Sequence, residues 1–423
     1  MLNFIYILFL CLLDQIHLSL VGTISLFDII VLVYMVVYVC YNRGLGLFAK
    51  DKEIIWISRV FLILIFIQVV SETIVGNNMA NAGKGIAVTV MCYLKFLFIL
   101  KLFFKDKRNI TWYIVCTLIA NILFFRHNDS FGLGEMEVGM DEMTTGEGMA
   151  MAYFKFKISP LINSALLLAT IYFRKVRFSL VFMLVGVLTI IFGARGSGLT
   201  MLVTGVVSFF LFYEFKWTKK KIALCVLAVA AGCFYGYRYY VRSVLDGDVN
   251  SGNSQSQLAK MDDPYNALEF FKMGRTETFV GMLAFAESPW VGWGAWPRDP
   301  GLKYNALMTY IQGKRMDKRK FSSETIPTHS VIVGYGTYNG IFAMMAVAVI
   351  IAFFLKRGVK LLDRSNIFVF LIINSMVNLI WDSLFSPVST MRFLFPFYFV
   401  SIYYIYKIMQ YPDLARQYGY LEE

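Results

Sequence analysis

The chain has 423 residues, 58% of them hydrophobic and only 16% charged, with a mean hydropathy of +0.61 and a formal net charge of +12. These values lie outside the range of soluble globular domains and describe an integral membrane protein. The positive excess sits in connectors between apolar runs, where anionic lipid headgroups balance it, so no nucleic-acid partner is needed to account for it.

Apolar runs of about 16 to 25 residues recur along the chain, each long enough to cross a hydrocarbon core of roughly 30 Å as a helix. About twelve spans are predicted: 2–20, 21–41, 55–75, 85–104, 110–125, 160–173, 178–193, 199–215, 222–240, 331–355, 366–385 and 393–409. The expected fold is all-α and polytopic. The first span carries Asp14, Gln15 and His17, but no Ala-x-Ala-like site follows it and no positive residue precedes it, so an uncleaved helix is expected rather than a signal peptide. Three parts result: nine helices over 1–240, one long, partly helical polar loop over 241–330, and three helices with a tail over 331–423.

Orientation follows from lysine and arginine, which resist translocation and stay on the cytoplasmic side. Alternate connectors hold Arg43, Lys50 and Lys52; Lys105, Lys107 and Arg108; Arg174, Lys175 and Arg177; Lys216, Lys219, Lys220 and Lys221; and Lys356, Arg357, Lys360 and Arg364. The short connectors of the opposite set offer only Lys84, Arg195 and Arg392. Both termini are therefore expected in the cytoplasm, and the 241–330 loop outside it. The basic run Lys314–Lys320 in that loop does not overturn the assignment, because long loops translocate largely regardless of charge. A second outer segment, about 126–158, carries Asp129, Glu135, Glu137, Asp141, Glu142 and Glu147; a solvated stretch or a lid over a cleft are its two readings.

Several chemistries lose support. Cys11, Cys40, Cys92, Cys116, Cys225 and Cys233 all fall in apolar spans without a Cys-x-x-Cys pair, which suggests neither a disulfide framework nor a zinc site. His17, His127 and His329 are far apart, against a histidine-based metal centre. Gly83-Lys84-Gly85 lacks the spacing of a nucleotide-binding loop.

The polar groups near the outer ends of the spans carry what chemistry the chain has. Arg195 lies in the turn Gly193-Ala194-Arg195-Gly196-Ser197-Gly198; it reads as an interfacial arginine or as a planar clamp for phosphate oxygens. Arg275 opens an amphipathic stretch carrying Phe279, Met282, Leu283 and Ala286, and reads as one half of an intrahelical pair or as a second clamp. The aromatic turn Pro289-Trp290-Val291-Gly292-Trp293-Gly294 suits membrane anchoring or sugar stacking. His329, just ahead of the span at Val331, is either a hydrogen-bonded structural histidine or a general base. Glu72, Asp382 and Arg392 are further candidates, because ionisable groups in membrane spans have partners or functions. Asp382 and Arg392 flank one short connector, which suggests an ion pair between them or contact with pyrophosphate. Lys95, deeper in its span, faces a lipid-carrier cavity or pairs with an unidentified carboxylate.

Arginine in a small-residue turn, arginine ahead of Ser288-Pro289-Trp290-Val291-Gly292-Trp293-Gly294, then His329-Ser330 followed by Tyr335-Gly336-Thr337-Tyr338-Asn339-Gly340, resembles the O-antigen polymerase and ligase superfamily. The likeness covers about 154–342 and includes the Pro160 to Ala165 helix start. It departs from the common pattern in His329-Ser330, where many ligases have His-Asn, and in Ala194-Arg195-Gly196, where many have Ser-Arg-Gly. The resemblance implies a glycosyltransferase of the bacterial inner membrane that acts on undecaprenyl-pyrophosphate-linked glycan at the outer face. It implies that Arg195 and Arg275 bind the departing pyrophosphate while His329 orients or deprotonates the acceptor hydroxyl, with inversion and without metal or cofactor. A chain-length regulator and a flippase of the same pathway would be its partners, beside membrane lipids.

Three functions are compatible with this pattern: a polymerase joining lipid-linked repeat units, a ligase transferring finished polymer to lipid A core, and a flippase for lipid-linked oligosaccharide. The long outer loop argues against transport, since a flippase is expected to place its charges in helix interiors around a central cavity. The His-Ser variant and the aromatic last span favour the polymerase.

Overall fold

A computed structural model describes residues 2–19, 23–42, 48, 50–124, 154–173, 176–213, 234–247, 273–312 and 325–411, with positions 258, 261, 263–266, 269 and 413. The acidic segment, the Lys314–Lys320 run and most of the 222–240 span lie outside these residues. The described chain is almost wholly helical. Its helices are α1 (Leu2–Leu13), α2 (Leu26–Asn42), α3 (Lys52–Val75), α4 (Met79–Lys105), α5 (Asn109–Leu123), α6 (Ser159–Phe173, preceded by a π-helical turn over Phe154–Ile158), α7 (Arg177–Ile191) and α8 (Arg195–Phe212). After a helical stretch over 234–245 come α9 (Thr276–Glu287), α10 (Lys303–Ile311), α11 (Val331–Val359), α12 (Val369–Phe385), α13 (Thr390–Phe393) and α14 (Phe395–Met409).

Among the described residues, five helical segments are long and apolar enough to cross a membrane: Lys52–Val75, Met79–Lys105, Phe154–Phe173, Arg195–Phe212 and Val331–Val359. Leu2–Leu13, Leu26–Asn42, Asn109–Leu123, Arg177–Ile191 and Val369–Phe385 are shorter apolar helices. Their outward faces carry large apolar side chains, such as Leu62, Ile63 and Phe66 on α3 and Leu180, Leu184 and Ile191 on α7, as a hydrocarbon environment requires.

Several boundaries differ from expectation; α4, for one, begins at Met79 rather than at 85. The first helix stops at Leu13, where Asp14 and Gln15 turn the chain into a short antiparallel hairpin, β1 (His17–Ser19) with β2 (Thr23–Ser25). Helix persists to residue 245, past the expected start of the long loop at 241. The last apolar run breaks at Leu394, and α14 restarts with Pro396 in its first turn, the one place where its missing N–H leaves no bond unmade.

α4 packs against α3 and α14, and α11 against α3, α12 and α14. Aromatic rings lock this centre: Phe354 stacks on Phe399 at 4.0 Å between centroids, and Phe96 meets Phe354 and Tyr403 edge-on at 5.4 and 6.1 Å. α7 and α8 approach closely through Gly186, Gly198 and Gly205, where no Cβ would fit.

The connectors sort into two groups by what they touch. In one, Arg357 pairs with Glu53 at 2.6 Å, while Lys407 reaches Asp51 and Glu53 at 3.1 and 3.0 Å. In the other, Arg392 donates to the Thr23 carbonyl, Asn77 to the Ala295 carbonyl, Arg275 to the Phe385 carbonyl and Ser330 to the Ser383 carbonyl. Helices that alternate in direction produce this sorting. The first group carries Lys52, Lys356 and Arg357.

α11 is broken at Gly340, whose φ of 80° and ψ of −176° interrupt the helical ladder. The turn after α9 fills the gap. Trp293 and Gly294 donate to the carbonyls of Thr337 and Tyr338 at 2.8 Å each, and Ile341 donates to the Pro289 carbonyl at 2.7 Å. The approach is so close that a Cβ on Gly340 would lie 2.2 Å from the Trp290 oxygen.

Candidate functional site

His329 is held by its neighbours on the chain. Ser330 is the N-cap of α11: its hydroxyl accepts from the Val333 N–H at 3.2 Å and donates to the Ser383 carbonyl at 3.1 Å. The His329 carbonyl accepts from the Thr278 hydroxyl at 3.0 Å, which ties the residue to α9. Between these two anchors the imidazole is partly buried and faces cations. Burial first, then the charges of Arg275 and Lys155, push its pKa down to about 4. The ring is therefore neutral at neutral pH and has a nitrogen lone pair to offer.

Arg275 occupies the N-cap position of α9, with no side-chain cap bond of its own. Its guanidinium donates to the Phe385 carbonyl at 3.4 Å, at the C-terminal end of α12, where the helix dipole favours a cation. The same group lies 5.0 Å from the Trp381 ring and 4.9 Å from the Phe385 ring. Burial and the like charge of Arg195 work against its ionisation, and Glu277 works for it.

Arg195 begins α8 after a tight turn in which Gly193 has a φ of 87°. Two contacts place this turn beside the others. Ser159 donates to Ser197 at 2.8 Å, joining the starts of α6 and α8, and a Cβ on Gly196 would lie 3.2 Å from the Trp381 indole nitrogen. The Arg195 guanidinium is 5.8 Å from the Tyr240 ring. Arg275 thus lies within electrostatic reach of both Arg195 and His329, three residues drawn from separated stretches of sequence, and Trp381 sits beside Arg275 and Gly196. Lys155 joins them from the turn before α6. Sequence reasoning passed over Lys155 and Trp381; the signal for Lys155 was a basic residue directly ahead of an apolar span, on the side otherwise poor in positive charge.

The remaining candidates have structural places. Glu72 is buried and clamps the docked turn: it accepts from the Ala295 N–H at 2.7 Å, Asn77 at 2.7 Å and Asn339 at 3.2 Å. Asp382 and Arg392 are not each other's partner. Asp382 accepts from the hydroxyls of Ser386 at 2.7 Å and Tyr398 at 3.1 Å, linking α12 to α14. Arg392 instead points to the hairpin and α2, with the Thr23 carbonyl at 2.6 Å and Asp28 at 3.9 Å. Lys95 finds two carboxylates, Asp28 at 2.6 Å and Asp14 at 3.4 Å.

The aromatic turn divides in two. Trp293 is internal, donating to the Ala284 carbonyl at 2.8 Å and meeting the Tyr304 ring edge-on at 6.1 Å. Trp290 is 69% exposed and open to a bilayer or a sugar. The loop around it has its own small core of Val280, Ala284, Tyr304 and Ile326, with Asp299 accepting from the Tyr304 and Asn305 N–H groups at the start of α10. Neither a family model nor a curated protein matches the chain.

Proposed function

We propose that the chain is a polymerase of surface polysaccharide of the O-antigen type. It would cross the bacterial inner membrane about twelve times with both termini in the cytoplasm, and transfer a glycan from an undecaprenyl-pyrophosphate donor to a hydroxyl of a lipid-linked repeat unit. The observation that carries this reading is the meeting of two guanidiniums with a neutral imidazole. Outside the cytoplasm no nucleotide powers a glycosidic bond, so the energy must reside in a leaving group made within. Pyrophosphate is such a group, and it leaves as an anion.

In the reaction, the acceptor oxygen bonds to the anomeric carbon as the bond from that carbon to the phosphate oxygen breaks. The electron pair goes to the pyrophosphate, stabilised by Arg195 and Arg275, and the hydroxyl proton goes to an imidazole nitrogen of His329. Attack opposite the leaving group inverts the anomeric carbon. Burial and the charges of Arg275 and Lys155 hold His329 at a low pKa; a bound pyrophosphate would offset their field and raise it, so that the base strengthens once the donor is seated.

Glycan banding tests the reading. A deletion strain is expected to show one repeat unit on lipid A core, whereas loss of all repeat units would identify a ligase. His329→Ala and Arg275→Ala, inserted at wild-type levels, are expected to leave chains of single units. Wild-type chain lengths in either variant would refute the mechanism.

A further inference from the structure

We infer that the groove between α3 and α11, at the end of the bundle with the basic connectors, binds an anionic glycerophospholipid, its acyl chain along Trp56 and Phe353 and its phosphate between Lys52 and Lys356. The groove, of about 440 Å³, has Lys52, Glu53, Trp56, Phe353, Lys356 and Arg357 among its lining residues. Such a volume is typical of sites for small molecules. The inference is independent of glycosyl transfer and needs only that these helices lie in a membrane.

Its floor is flat and apolar. Trp56 stacks on Phe353 with centroids 5.3 Å apart and 17° between planes, and Trp56 and Val349 remain 44% and 42% exposed. A tryptophan with one face packed and its edge open marks the level where hydrocarbon meets headgroup.

Its charges are unequal. Glu53, the acid of the groove, is shared by Arg357 at 2.6 Å and Lys407 at 3.0 Å, while Asp51 takes Lys407 at 3.1 Å and the Tyr403 hydroxyl at 2.9 Å. Two acids thus balance two bases. Arg357 is further fixed by the Phe353 carbonyl at 2.8 Å and lies 3.3 Å over the Phe353 ring. Lys52 and Lys356 stand outside this balance: both are exposed, and no hydrogen bond or ion pair among the described residues engages either. Two surplus ammonium groups above an apolar trough match a phosphate ester above an acyl chain, and a zwitterionic headgroup would answer them with its own cation.

The test uses purified full-length protein in phosphatidylcholine vesicles, with increasing fractions of dibrominated phosphatidylglycerol or dibrominated phosphatidylcholine. Trp56 emission is isolated as the difference between wild type and Trp56→Phe. Half-quenching is expected to need about five-fold less brominated phosphatidylglycerol than phosphatidylcholine. The Lys52→Gln/Lys356→Gln double variant is expected to lose this preference; both lysines are exposed, so packing is left intact. Equal quenching by the two lipids in the wild type would overturn the inference, as would a preference unchanged in the double variant. Inorganic phosphate at constant ionic strength is expected to leave the preference in place. If it abolishes the preference, the site takes a free phosphate and the lipid assignment falls.

Discussion

Two charged clusters draw on the same group of connectors, and they differ in what they join. In the first, Lys95 and Arg392 meet Asp28 and Asp14 at 2.6 to 3.9 Å, two cations against two anions. In the second, Arg275 and Lys155 act on a neutral His329, and Arg275 in turn feels Glu277 and Arg195. A balanced cluster in a low-dielectric setting is complete, and removing one member leaves an uncompensated charge. The first holds α1, α2, α4 and the last connector together; the second brings charged groups from the starts of α8 and α9 near the residue that precedes α11.

Breaking the balanced cluster is expected to have the largest effect on stability. Lys95→Met strands Asp28 and is expected to cost about 3–5 kcal/mol, read from denaturant unfolding in mixed micelles. A cost below about 1 kcal/mol would mean that the cluster is not tightly coupled. Breaking the second cluster is expected to act on turnover instead. Arg275→Ala is expected to lower polymerisation about 10²–10³-fold, with a melting temperature within about 2 °C of wild type. Arg275→Lys is expected to recover little, since an ammonium lacks the planar fork that grips two phosphate oxygens.

The pH profile sharpens the contrast. His329 is depressed to about 4 in the folded protein against its ordinary 6.5, so it contributes stability above that ordinary value and loses it as pH falls through the window between the two. Apparent kcat/KM is therefore expected to stay level from neutral pH down to about 5 and to fall toward pH 4; a decline centred near 6.5 would mean a solvated histidine. The smallest effect is expected from Ser386→Ala, which removes one of two donors to Asp382 and is expected to cost about 1 kcal/mol in the same unfolding assay.

What the sequence reveals of this molecule follows a physical divide. Apolar runs are written in consecutive residues, so α3, expected over 55–75, is found at Lys52–Val75, and α11, expected over 331–355, at Val331–Val359. Pairings between distant residues leave no such trace. Lys95 and Asp14 are 81 residues apart, and Arg392 passes over Asp382 nearby for Thr23, 369 residues away. The short last connector made Asp382 and Arg392 look like partners because proximity in sequence was the only distance available. Arg195, Arg275 and His329 were individually legible as polar groups in turns beside apolar spans, but nothing in the sequence marked Trp381, which sits beside Arg275 and Gly196. Ser330 illustrates a different limit. Its observed place is an N-cap, a task asparagine performs as well, so the His-Ser pair does not separate polymerase from ligase.

The docking of residues 289–294 onto the broken α11 makes two distant parts of the chain form together. The turn's hydrogen-bond acceptors, the carbonyls of Thr337 and Tyr338, belong to a helix synthesised after it, and the helix gap at Gly340 is filled by the turn. Neither half completes its backbone bonding alone. Residues 289–294 therefore reach their final shape only with α11, and the loop expressed by itself is expected to remain unformed at this turn.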